Sequence, residues 1–355
     1  MKENSKLEGR GDIVRKRLRE LGVVIGKYET GLWNAITDVE GVQVGHVTLF
    51  EKGNVRTGVT AILPHSGNVF YEKVFASSYV INGFGKTVGT IQVQELGTIE
   101  SQILVTNTLS VAATLQGTIQ YMLRENEEIG QAAGTVNVVI GECNDGYLND
   151  IRGMHVKPEH AIEAIEIAQI GPVAEGCVGA GTGMACFGYK GGVGTSSRII
   201  TFTTKTYTLG VLVVTNFGRK EDLYRKEVDH KQLPDGSIMI IIATDAPLSE
   251  RQLNRIAKRA TFGLAKAGSY GAHGSGDIVI AFSTAHRIPH TPAIENLQYS
   301  FLGEDGKEIS HLFAMTIEAV EEAIWNALCM AKTTSGNGKC LEEIPYAKVK
   351  DYFCR

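Results

Sequence analysis

Nowhere in the 355 residues is there a run approaching the ~18 consecutive apolar residues that span a bilayer. A basic excess is also missing. Lys plus Arg total 35 against 39 acids, a net charge of −4, so the chain carries no electrostatic footprint for nucleic acid. None of the six cysteines forms a C-x-x-C pair, which excludes a zinc ribbon or a thioredoxin-like motif. Their scatter fits ordinary thiols in a reducing compartment. No H-E-x-x-H occurs, and the nine histidines show no metal-ligand spacing. The polar start, MKENSKLEGRGD, lacks the apolar segment of a secretory signal. The chain reads as soluble and cytoplasmic, with no metal or organic cofactor and with neither nucleic acid nor membrane as a partner.

Nucleotide and hydrolase signatures fail at single residues. GFGKT (83–87) ends like a phosphate loop, but its required first glycine is Val80. KGGVGTSS (190–197) has Thr195 where a lysine is needed, and GAGTG (179–183) is not G-x-G-x-x-G. The serine elbow G-x-S-x-G fails at Ser275, because His273 stands two residues before it.

What the chain does have is glycine, 41 residues, well above the usual ~7%. Hydrophobic residues make up 43% and charged residues 21%, the balance of a globular protein with a large core. Residues 1–12 are polar, and 13–21 (IVRKRLREL) read as a short amphipathic helix. Strand patterns occupy parts of 34–64, 136–142 and 238–245. RIITFTTKTYTLGVLVVTN (198–216) reads as two strands broken at Gly210. Helical spacing appears within 102–124, in 155–168 and in 315–331. Ser249 and Gln252 form a capping-box pattern ahead of a helical stripe that runs toward Gly268. With no long linker and no repeat, the expectation is one α/β domain, a layered sandwich.

One segment offers chemistry. In GSYGAHGSGDIVIAFST (268–284), Ser275 lies between two glycines where a turn enters a strand. Glycines at a strand entry serve backbone conformation, and this reading stays open. The alternative is a self-processing nucleophile. The Ser275 hydroxyl attacks the Gly274 carbonyl, the acyl group shifts from N to O, and hydrolysis leaves Ser275 as a new N-terminus. Its α-amine, with a reference pKa of ~7.7–8.0, suits a general base at neutral pH.

Here the sequence resembles the DmpA-type family of L-aminopeptidase/D-Ala-esterase/amidase enzymes, which includes β-peptidyl aminopeptidases. The resemblance runs through NAITDVEGVQVGH (34–46), RTGVTAILPH (56–65), VINGFGKTVG (80–89), ELGTIESQILVTNTLSV (95–111), GECNDGYLNDIRG (141–153), GVLVVTNFG (210–218), ATDAPL (243–248) and SYGAHGSGDIVIAFSTA (269–285). It implies a single-domain four-layer αββα sandwich, shared with ornithine acetyltransferase. It also implies autocleavage into 1–274 and 275–355, and a homo-oligomer, a tetramer of α–β heterodimers.

Carried over by position, Ser275 is the nucleophile and Asn216 the oxyanion donor. Thr316 and Glu318 are the hydroxyl-x-carboxylate pair that orients the nucleophile, while Glu142 and Tyr147 line the substrate site. On a helix, residues two apart face different ways, so Thr316 and Glu318 share one site only near a helix start. Cys143 reads as a packing residue, and Asp277 as a brace for the turn. The implied activity is a serine aminopeptidase or amidase on small peptides, amides or esters, acting through an ester on Ser275. Two alternatives remain: an ornithine-acetyltransferase-like acyltransferase, and a non-catalytic self-assembling scaffold.

Overall fold

The computed structural model describes residues 14–354 apart from 52, 204, 224–235 and 305. The polar 1–12 segment lies outside the described residues.

Hydrophobic residues on both faces of the strands dictate the layering. One sheet has four strands in the order β1 (Gln43–Phe50), β2 (Arg56–Leu63), β5 (Ile103–Asn107), β6 (Val139–Cys143). The other has six, in the order β4 (Thr98–Ile99), β3 (Glu72–Gly83), β12 (Ser275–Pro289), β11 (Gly236–Thr244), β10 (Lys205–Asn216), β9 (Val193–Phe202). Small antiparallel pairs join β7 (Ala185–Cys186) to β8 (Tyr189–Lys190) and β13 (Thr334–Gly336) to β14 (Lys339–Leu341). The helices are α1 (Thr90–Leu96), α2 (Val111–Glu125), α3 (Pro158–Glu166), α4 (Lys220–Leu223), α5 (Glu250–Lys266), α6 (Lys307–Met330) and α7 (Tyr346–Phe353).

Successive strand residues point to opposite faces, so each buried strand feeds two cores. On β11, Met239, Ile241 and Ala243 meet Ile103, Val105 and Val139 of the smaller sheet. Its Ile238, Ile240 and Ile242 pack instead with Leu253, Ile256 and Ala260 of α5 and Ala319, Val320 and Ala323 of α6. On the outer side of the smaller sheet, Val59, Ala61 and Leu104 pack on Ala161, Ala164 and Ile165 of α3. The layers are α2/α3, four-stranded sheet, six-stranded sheet, α5/α6, the expected αββα sandwich. At ~25 cal/mol per Å² of apolar surface removed from water, three such cores dominate the stability.

Local signals mostly match. Ser249 Oγ accepts the Gln252 N–H at 3.3 Å, and Gln252 Oε1 accepts the Ser249 N–H at 2.9 Å, closing the capping box of α5. Three expectations are corrected. The helix over 13–21 is a single 3-10 turn, Arg19–Leu21, in the described residues. Arg15 and Arg17 instead reach distant carbonyls, those of Cys329 and Thr195. The break in 198–216 falls between Phe202 and Lys205, not at Gly210. Gly210 sits inside β10 because a Cβ there would lie 2.6 Å from the Ile36 Cα. Finally, α6 begins at Lys307, more than two turns ahead of 315, which puts Thr316 and Glu318 in mid-helix.

Candidate active site

Four strand ends converge at one edge of the sandwich. β10 ends at Asn216, β11 begins at Gly236, β12 begins at Ser275, and β6 of the other sheet ends at Glu142 and Cys143. Register places Asn216 opposite Ser237, Gly236 beside Ser275, and Ser237 beside Gly276. Between the sheets opens a cleft of about 850 Å³. Its lining includes Phe84, Lys86, Thr108, Glu142, Asn144, Tyr147, Asn216, Gly236, Ser237 and Lys339.

Ser237 is the serine on the cleft wall. Its Oγ accepts the Asn144 N–H at 3.3 Å and the Asn216 Nδ2–H at 3.4 Å. Two N–H groups therefore converge on one hydroxyl. Asn216 is held in turn, because its Oδ1 accepts the Ala185 N–H at 3.1 Å. That bond fixes which end of the amide faces Ser237.

Ser275 is close by but faces elsewhere. It lines a much smaller cavity, about 10 Å³, with Asp222, Tyr270 and Gly236. Its hydroxyl donates to Asp277 Oδ1 at 2.6 Å. Its N–H is bound to the Ala272 carbonyl at 2.9 Å, and its own carbonyl accepts the Phe84 N–H at 3.2 Å and an Asn82 amide N–H. The Gly274 carbonyl accepts the Gly236 N–H at 3.3 Å. A Cβ on Gly236 would lie 3.1 Å from Ser275 Oγ, so the Ser275 hydroxyl abuts the residue that precedes Ser237. Asp277 is fully buried, and its Oδ2 has no hydrogen-bond partner among the described residues. Burial raises its carboxyl to about 6, an effect the Ser275 hydrogen bond partly offsets. Asp277 is thus more than a turn brace: it is the acceptor for the neighbouring hydroxyl.

Glu142 carries the carboxylate of the cleft. Oε1 accepts the Lys86 N–H at 3.0 Å and lies 3.9 Å from Lys86 Nζ, while Oε2 accepts the Thr108 hydroxyl. Tyr147 stands exposed on the rim, with Lys339 Nζ 4.3 Å above its ring centroid. Cys143 is fully buried, and burial pushes its thiol far up, so it stays protonated and packs.

Thr316 and Glu318 are not brought to this edge. Thr316 Oγ1 donates to the Leu312 carbonyl at 2.8 Å, one turn back along α6. Glu318 accepts Arg198 Nε at 3.2 Å and the N–H groups of Lys27 and Tyr28 at 3.1 and 3.3 Å. Arg198 stands opposite Leu209, Leu209 opposite Thr244, and Thr244 beside Ser283. That level is eight residues along β12 from Ser275, about 26 Å at ~3.3 Å per residue. These two residues belong to a buried ion-pair network that also includes Arg198 to Glu322 at 2.8 Å.

Sequence reasoning passed over Ser237 because PDGSIMIII reads as a turn entering a buried strand. The available signal was a second Gly-Ser junction at a strand start, equivalent to Gly274-Ser275. The hydroxyl-x-carboxylate pattern recurs as well, in Ser275/Asp277 besides Thr316/Glu318.

The fold is a four-layer αββα sandwich, with a serine near the start of an inner strand under converging N–H donors, the architecture of the serine aminopeptidase class of hydrolases. The model of peptidase family S58 matches residues 34–341, and the chain belongs to that family, as a hydrolase of the serine aminopeptidase type. It is 38% identical over 377 aligned residues, 97% of this chain and 93% of the relative, to the β-peptidyl aminopeptidase BapA of Sphingosinicella microcystinivorans. Among solved structures, the PH0078 protein of Pyrococcus horikoshii OT3 superposes with a TM-score of 0.89 at 51% identity, covering 96% of this chain and 99% of that one. The L-aminopeptidase D-Ala-esterase/amidase of Ochrobactrum anthropi superposes with a TM-score of 0.87 at 32% identity, covering 95% and 98%. That enzyme is described as a prototype of the serine aminopeptidases and a variant of the Ntn hydrolase fold.

Proposed function

We propose that this chain is a self-processing aminopeptidase whose nucleophile is Ser237, not Ser275, and whose substrates are short peptides, amides or esters with a free amino terminus. The observation that carries this is the Ser237 hydroxyl on the wall of the main cleft under two N–H donors, from Asn216 and Asn144. The relatives named β-peptidyl aminopeptidase support substrates with an extra backbone carbon, for which the cleft volume of about 850 Å³ leaves room.

In the processing step Ser237 Oγ attacks the Gly236 carbonyl carbon. The C–N bond to Ser237 breaks as the amine takes a proton, leaving an ester on Oγ. Water then hydrolyses the ester, giving a Gly236 carboxylate and a free Ser237 amine and hydroxyl. Gly236 suits this step because it has no side chain to block the Ser275 hydroxyl beside it. In turnover the same Oγ attacks the substrate carbonyl and its proton passes to the new α-amine, a base of suitable pKa. Ser275, backed by Asp277, is placed to hydrogen-bond that amine. Asn216 Nδ2 and the Asn144 N–H stabilise the developing oxyanion. The leaving amine carries the proton away, and water releases the acyl group. Glu142 takes the substrate ammonium in a charge-assisted bond.

Intact-mass measurement on the purified protein tests the reading. Scaling 38.4 kDa by length, cleavage before Ser237 gives about 26 and about 13 kDa, whereas cleavage before Ser275 gives about 30 and about 9 kDa. Ser237→Ala is expected to remain one chain without activity. Fragments starting at Ser275, or an active Ser237→Ala enzyme, would falsify the assignment.

A further inference from the structure

Lys190 is fully buried, yet it makes no ion pair within 4 Å among the described residues. Its ammonium donates to the carbonyls of Gly181 at 3.0 Å, Met184 at 2.9 Å and Gly191 at 2.8 Å. All three of its N–H donors are used. Burying an ammonium is costly, and burial lowers the Lys190 pKa. An apolar side chain of the same volume would fill the space without that cost but would remove the ammonium from all three carbonyls, leaving Gly181 and Met184 with one backbone N–H each, from Met184 at 3.3 Å and Gly191 at 3.0 Å. The ammonium ties three points of this loop to one atom.

The loop matters because of what it carries. Gly181, Met184 and Gly191 bracket Ala185, and Ala185 pairs with Lys190 across the β7–β8 hairpin. The Ala185 N–H is the donor that holds Asn216 Oδ1 at 3.1 Å. With Oδ1 tied, Nδ2 faces Ser237 Oγ. One line of hydrogen bonds therefore leads from the buried ammonium, through the loop, to the amide beside the nucleophile.

We propose that Lys190 is a positioning residue for the oxyanion amide, holding the Ala185 N–H where it fixes the orientation of Asn216. This rests on the role given to Asn216 above. The test is a double-mutant cycle with Lys190→Met and Lys190→Gln, each made alone and with Asn216→Ala, and with rates normalised to folded protein by circular dichroism. Lys190→Met is expected to lower kcat about tenfold or more with KM within about twofold, since the interaction it supports forms in the transition state. In the Asn216→Ala background the same change is expected to cost less than about twofold, because the residue it acts through is gone. Lys190→Gln keeps two donors and is expected to recover part of the loss.

Equal losses in both backgrounds, or an unchanged kcat in folded Lys190→Met, would overturn the proposal. Failure of both Lys190 variants to fold would make Lys190 a stability residue and overturn it too. If Asn216→Ala itself kept full kcat, the oxyanion role would fall first, an outcome distinct from either of these.

Discussion

The Ser275 hydroxyl donates to Asp277 Oδ1 at 2.6 Å, across a single glycine at the start of β12. Residues two apart on a strand share a face, so this spacing brings hydroxyl and carboxylate together. The same spacing on α6 separates Thr316 from Glu318. Position on a strand rather than a helix is what lets one hydroxyl-x-carboxylate pair hydrogen-bond to each other.

Asp277 sets an acid limit on turnover. Its carboxyl, raised to about 6, is the charged and stronger acceptor for Ser275 only above that pH. Activity is expected to fall as pH drops through about 6, and a pH profile of kcat with an amino-acid p-nitroanilide checks this. Asp277→Asn is expected to be slow and to lose that limb. If the variant kept the wild-type profile, Asp277 would have no part in it.

The same group has a stability signature. Its folded pKa lies above the unfolded value of ~3.9, so its contribution is full below pH ~3.9 and lost as pH rises through about 6. In an uncleaved Ser237→Ala background, Asp277→Asn is expected to gain stability relative to Asp277 between pH 4 and pH 8. Urea unfolding at the two values measures it, and a difference that stayed constant would contradict the shift.

Asn216→Ala is expected to keep the fold and lose ~10²–10³ in kcat, the usual cost of one oxyanion donor. The β10–β11 ladder at this position is a backbone pairing, which the substitution leaves in place. Near-normal turnover would remove Asn216 from the mechanism.

Glu142→Gln retains the acceptor for the Lys86 N–H and removes the charge. Hydrogen bonds to charged groups are worth ~1.5–3 kcal/mol, so KM is expected to rise about tenfold or more while kcat changes less. N-acetylated substrates are expected to react poorly with either form. Equal kcat/KM for free and acetylated p-nitroanilides would turn the reading toward a general amidase.

Glu318→Gln separates structure from catalysis. Removing one partner of a buried ion pair typically costs ~3–5 kcal/mol. The variant is expected to melt earlier, with kcat of the folded enzyme within about twofold of wild type. A large fall in kcat without a change in melting would restore Glu318 to the site.

Much was legible in the chain. The unbroken apolar run IMIIIA over 238–243, together with helical stripes at 253–264 and 315–331, demanded strands buried on both faces between helices. The ordered blocks from Asn34 to Ala285 carried the family, and with it Asn216, Glu142 and Tyr147, which the structure gathers at one cleft. These features are local or periodic, so the residues themselves display them.

Which serine faces that cleft was not legible. Gly236-Ser237 and Gly274-Ser275 are alike as sequence, each a glycine and a serine entering an inner strand. Parallel pairing of β11 with β12 sets them side by side, and the neighbouring strand ends decide between them. Asn216 and Asn144 bring N–H groups to one hydroxyl, while Asp277 accepts a hydrogen bond from the other. The two donors to Ser237 come from 21 and 93 residues away along the chain. Chain spacing carries no record of long-range contacts, because the sheet register that creates them is fixed by packing of the two cores as a whole.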